Sequence, residues 1–321
     1  QYGEEFPLPG DVTGTADQLY LHALTLRPEI DGYFDDWGLD RRSLRSIRGA
    51  DGPVQVALGT FGETVYVYVD VSDRSVVYAT SRSMILDEGS RYADRVSLVS
   101  SNPPYLEENL VFSAEAPGRI LSYKQTAYGF APEPAVSAHW QDRPGGYRLE
   151  ARVPAALLGT HLGLVIDNTA DAAQPGIRSS SFAAASPGPV SKLSAEITAV
   201  ASRLVQPDMR LLVTDASGWR IASVGTLTDR ATADTRLGVA RKIYELLVES
   251  GKQAAFAEPD PLGREQQAYV SAALQGREMG AWFRSSETGK AIVAVAAPIV
   301  VDNETLGAVI LQQGTDAILS L

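Results

Sequence analysis

The stretch AIVAVAAPIVVDNETLGAVILQQ, Ala291–Gln313, consists of two apolar runs parted by a short polar turn. The first run ends in Ala297-Pro298-Ile299 and two valines. Asp302-Asn303-Glu304 forms the break, and Thr305–Gln312 is apolar again through Leu306, Val309, Ile310 and Leu311. Two β-rich runs around an Asp-Asn turn predict an antiparallel hairpin. The tail that follows, Thr315–Leu321, has no cap, no polar finish and no proline, so it reads as an apolar helix interrupted as it begins.

Working outward, composition bounds the rest. A chain of 321 residues is long for one core and predicts two domains, and 45% hydrophobic residues suffice to fill both. Short runs of Val, Thr and Tyr among plentiful Gly and Pro point to β-structure. The absence of Cys removes disulfides and thiolate metal sites, and suits the cytoplasm and a bacterial periplasm equally. A net charge of −11 argues against nucleic acid or an anionic membrane surface as a partner. The longest apolar run, Ala291–Val301, is too short to span a bilayer and contains Pro298. Gln1 is not an initiator Met and no signal peptide is visible, so the expectation is a processed or excised piece.

Three segments are expected: an extended lead-in over 1–18, a β-sandwich over 19–204 and a smaller sheet-and-helix domain over 205–321. In the sandwich, Ile30-Asp31-Gly32-Tyr33-Phe34-Asp35-Asp36-Trp37 combines a turn with two aromatics placed to drop onto a core. Val54, Val56 and Leu58 alternate, Gly62-Glu63 turns the chain, and Val65, Val67, Val69 and Val71 alternate again. Further strands are predicted at Arg95–Ser100, Leu110–Ser113, Arg119–Gln125, Ala138–Gln141, Tyr147–Pro154, Leu162–Asp167 and Ser194–Val200. Short strands at this spacing need a second sheet to cover their apolar face. Ser179–Pro189 reads as a loop. With Asp94-Arg95-Val96-Ser97-Leu98 and the Gly146–Pro154 run, this ordered set resembles the family 9 carbohydrate-binding modules over roughly residues 20 to 200. The resemblance implies a jelly-roll sandwich, sugar held by aromatic rings and a structural calcium.

The second domain opens with Arg210–Ser223, a strand, an Asp-x-x-Gly turn at Asp215–Gly218, and a strand. Leu237, Ala240, Ile243, Leu247 and Val248 then fall on one side of a helix that Gly251 can end. Ala254–Gly263 is a loop, Gln266–Leu274 a short helix, and Gly280–Ser285 joins the hairpin as a third strand. This order resembles extracytoplasmic PAS-like or single-Cache sensor domains, on VTDASGWRIAS and AAPIVVDNETLGAVIL. There the closing strand runs into a membrane helix. Both domains in this order resemble the sensor region of bacterial two-component histidine kinases, those of proteobacterial dedicated sortase systems. The resemblance implies a periplasmic portion of an inner-membrane protein, joined to the bilayer by flanking helices and dimeric at full length. Its partner would be a small molecule, a glycan or a cell-envelope protein. A secreted or periplasmic carbohydrate-binding protein without a signalling role is the alternative.

Nucleophilic catalysis finds no motif here. His22, His139 and His161 are isolated, and there is no Gly-x-Ser-x-Gly, His-Glu-x-x-His or phosphate loop. No catalytic residue and no cofactor are expected. Asp35, Asp70, Asp73 and Asp167 are weak calcium candidates, because calcium takes oxygen ligands. For a ligand, Trp140, Tyr92, Tyr105, Tyr123 and Tyr128 stand at predicted strand ends or loops, where a ring can stack on a sugar. Trp37 is assigned to the core. In the second domain Tyr269, Trp282 and Arg284 are expected to line one pocket wall, with Arg284 able to pair with a carboxylate.

Overall fold

The computed structural model describes residues 18–49, 51–80, 93–102, 108–126, 129–171, 174–182, 187–227, 254–286, 289 and 291–314. The expected helix at Leu237–Val248 and the tail from Thr315 lie outside the described residues. The chain divides into two compact units between Ser191 and Lys192. It is mainly β, a two-sheet sandwich followed by an α+β unit.

The strands run in chain order as β1 (Tyr20–Ala23), β2 (Arg45–Arg48), β3 (Pro53–Phe61), β4 (Thr64–Ser72) and β5 (Arg95–Ser101). Then come β6 (Glu108–Phe112), β7 (Gly118–Ile120), β8 (Ser122–Thr126), β9 (Gly129–Pro132), β10 (Ser137–Arg143) and β11 (Gly146–Pro154). β12 (His161–Asp171), β13 (Gln174–Phe182), β14 (Gly188–Pro189) and β15 (Ser191–Lys192) follow. One sheet has the order β15-β1-β3-β4-β11-β10-β7, with β2 beside β3. The other has the order β13-β12-β5-β6-β8-β9, with β14 beside β12.

The alternation in β3 and β4 does what its period dictates. Val54, Val56 and Leu58 of β3, and Val65, Val67, Val69 and Val71 of β4, all face the second sheet. They meet Val96, Leu98, Leu110, Phe112, Leu164 and Ile166 from it. Trp140 of β10 and Tyr147 of β11 complete this core, stacked with centroids 3.9 Å apart. The opposite side of β4 is also dry. Tyr66 and Tyr68 lie under the Ile30–Trp37 segment, packed with Phe34, Trp37, Leu24 and Leu44. The eight-stranded sheet therefore carries apolar groups on both faces, and Phe34 and Trp37 reach a core as expected.

Two sequence expectations change here. Ser194–Val200 is a helix, α1 (Ala195–Ser202), begun by the Ser194 hydroxyl accepting from the Ile197 N–H. β-Branched Ile197, Thr198 and Val200 favoured the strand reading, but Ser194 and Glu196 are N-terminal helix signals. Packing of α1 on the following sheet places it in the second unit. The loop expected at Ser179–Pro189 gives part of its length to β13 and β14.

In the second unit β16 (Met209–Asp215), β17 (Arg220–Gly225), β18 (Ala254–Ala255), α2 (Ala268–Leu274), β19 (Met279–Arg284), β20 (Ala291–Val301) and β21 (Glu304–Gly314) follow. The sheet order is β17-β16-β21-β20-β19-β18. The closing hairpin forms as read: Val301 pairs with Glu304 around Asp302 and Asn303, both at positive φ (50° and 67°). Asp and Asn tolerate that left-handed turn better than other non-glycine residues. Leu212, Ala294, Ala296, Ala308 and Ile310 face α2. Leu211, Val213, Val309 and Leu311 face α1. At the first turn, the Asp215 carboxylate accepts from the Ser217 and Trp219 N–H groups, and Gly218 sits at φ +85°.

Candidate functional site

In the first unit, Glu150 of β11 points away from the sandwich core and is fully buried. Oε1 accepts from Trp37 Nε1 at 2.8 Å, and Oε2 from the N–H groups of Asp31 (3.0 Å) and Gly32 (2.9 Å). Burial pushes this carboxyl up from 4.5 to about 7, while the three donors pull it down. The contact latches the Ile30–Trp37 segment onto the sheet. Gly32 (φ +89°) is needed because a Cβ there would stand 2.7 Å from Gln141 Cβ.

Beside the latch, Arg27–Asp31 forms one wall of a groove of about 560 Å³. Arg119 of β7, Ser137 and Ala138 of β10, and Arg152 of β11 form the other. The register explains the meeting: Ser137 lies opposite Arg152, and His139, two residues on, opposite Arg119. Arg152 Nη2 donates to Ser137 Oγ at 3.3 Å. Arg27 and Arg119 are exposed and Arg152 is half-buried. Sequence reasoning missed this groove, because its arginines are far apart in the chain and belong to no motif.

Of the predicted aromatic ligand residues in the first unit, the two among the described residues are both buried. Trp140 is 1% exposed within the core and offers no ring face to a ligand. Tyr123 is buried against Ala79 and Ala93. Tyr92, Tyr105 and Tyr128 lie outside the described residues. In the second unit Tyr269, Trp282 and Arg284 do not share a wall. Tyr269 is a buried residue of α2, bonded to Gln312 and packed on Phe283. Trp282, 48% exposed, and Arg284 project from the other side of β19, since neighbours on a strand alternate. Phe283, not Trp282, is the β19 side chain on the side of Tyr269, and Phe256 lies edge-on against it.

The four calcium candidates do not form one group, although Asp73 and Asp167 both act, with Asp94, on the Tyr147 hydroxyl. Asp35 is exposed on the latch segment. Asp70 holds both Arg143 (2.5 Å) and Arg148 (3.1 Å), and Asp167 holds Arg95 at 2.6 Å. Asp73 accepts from Ser75 N and neighbours Asp94. Among the described residues no group of three or more such side chains is arranged to hold a metal ion. Asp94 instead acts as a clamp: Oδ2 accepts from Val77 N and Oδ1 from Thr169 N. Burial first, and the Asp73 charge in addition, push Asp94 from 3.8 to about 7.

His139 and His161 sit on different sheets and His22 on β1 at the far side of β3 and β4, so the histidines do not converge. A buried ion pair between Arg220 and Glu265 ties the loop before α2 to β17, and Arg220 also donates to Asp260 O.

No protein-family profile and no curated protein sequence matches the chain. Among solved structures, it is similar to a family 9 carbohydrate-binding module from Caldicellulosiruptor kristjanssonii in complex with glucose. The identity is 14% over 56% of this chain and 97% of that one, with a TM-score of 0.35. At that score the likeness adds nothing to what the two sheets themselves display.

Proposed function

We propose that the chain is the extracytoplasmic signal-input region of a membrane-bound sensor histidine kinase, on the periplasmic side of an inner membrane. The observation that supports it is the position of β21. This last strand is hydrogen-bonded along its length to β16 on one side and β20 on the other. Its end meets the start of β16: Gln313 pairs with Met209, and Gly314 N donates to Asp208 O at 3.1 Å. A small molecule, glycan or envelope protein that favours one arrangement of the sheet shifts its population by differential affinity alone. β21 delivers that shift at Gly314, toward whatever follows. In the parent protein, a dimer on this reading, deleting Met209–Gly314 is expected to abolish the stimulus response. An unaltered response overturns the reading. A gene that continues past Leu321 into an apolar span of about 20 residues agrees with it.

The second reading, a carbohydrate-binding protein without a signalling role, draws on the groove of the first unit. It predicts sugar affinity in a native protein that has no membrane span after Leu321.

A further inference from the structure

We propose that the groove bounded by Arg27, Arg119 and Arg152 binds the acidic end of a polyhydroxylated ligand, a sugar acid of the hexuronate kind. Arg42, Arg74, Arg95, Arg143 and Arg148 of the same unit each hold a carboxylate. Among the described residues, Arg27, Arg119 and Arg152 have no such partner, yet they line one cavity. In a chain with a net charge of −11, three guanidiniums around one groove, none of them held by a carboxylate, mark a place built for an anion. Their planar forks match a carboxylate or a phosphate.

The rest of the lining selects between these. Glu29 and Asp31 share the groove, and ionised carboxylates only accept hydrogen bonds. Facing a bare inorganic anion they would repel it. Facing a sugar acid, they and Ser137 accept from its hydroxyls while the arginines take its carboxylate. The volume of about 560 Å³ lies within the range of small-molecule sites. The excess negative charge disfavours a long polyanion, so the ligand is a short oligomer or a chain end. The Glu150 latch fixes the Asp31 wall in place through Asp31 N and Gly32 N. The proposal does not depend on the kinase reading, because binding is measured on the chain itself.

The experiment is calorimetric titration of the 321-residue chain with digalacturonate, with its neutral counterpart digalactose, and with inorganic phosphate. Digalacturonate is expected to bind saturably and to weaken as salt is added. Arg119→Ala and Arg152→Ala should each weaken it about tenfold, the loss of one charge-assisted contact. Arg119 is exposed, so its variant keeps the fold, and an unchanged melting temperature verifies this. Arg152→Lys replaces Arg152→Ala if the latter unfolds. No binding of digalacturonate at millimolar concentration overturns the proposal. So does unchanged affinity in both variants, or equal affinity for digalactose or phosphate.

Discussion

Glu150 shows how one side chain can set both the shape of a surface and its response to pH. It is buried, accepts from three donors and still titrates near 7. The unfolded chain gives up this proton near 4.5, the folded chain near 7. Between those values the folded state binds more protons, so stability falls as pH rises through that window and levels off above it. Asp94, raised from 3.8 to about 7, acts in the same direction. Urea midpoints are expected to drop from pH 5 to pH 7.5, and Glu150→Gln should flatten part of that slope. Glu150→Ala leaves the Trp37, Asp31 and Gly32 donors without their acceptor, and should cost about 2–4 kcal/mol in equilibrium unfolding. None of this was legible at Glu150 itself, which reads as one outward-facing residue of a strand. Trp37 was legible as core because its motif pairs an aromatic with a tight turn.

At the scale of elements, periodicity carried well where strands are half-buried and poorly where sheets are covered twice. β4 was readable from its valines, but the burial of Tyr66 and Tyr68 on its other face was not. The closing hairpin was readable because its turn residues and both runs agree. α1 was misread because β-branched side chains outvoted its cap. Replacing Ser194 by Ala should destabilise the second unit by about 1 kcal/mol, measured by thermal unfolding. Gly307 of β21 meets β16 so closely that an added Cβ would stand 2.0 Å from the Thr214 carbonyl oxygen. Gly307→Val is therefore expected to break the β16–β21 pairing, seen as lost amide protection at Leu211–Thr214 in hydrogen exchange. Retained protection there would show that the close approach is not needed.

At the scale of the molecule, each apolar cluster of the described residues falls within one unit. The sandwich core and the cluster under the latch belong to the first, and the two clusters against α1 and α2 to the second. Separate cores predict two calorimetric transitions rather than one. Glu150→Ala should lower one of them and Gly307→Val the other. A single cooperative transition moved equally by both variants would mean that the units share their stability.

The amino-acid order alone determined that this protein is mainly β and that Ala291–Gln313 forms a hairpin. Those features follow from local alternation and from turn residues, both of which act over a few positions. Tertiary structure alone decided that Trp140 and Tyr123 are buried, that Tyr269 and Trp282 stand on opposite sides of a sheet, and that three arginines meet in a groove. Those facts depend on strand order and register, which bring together residues more than a hundred positions apart, as in the groove between Arg27–Asp31 and Arg152. No local pattern encodes that distance.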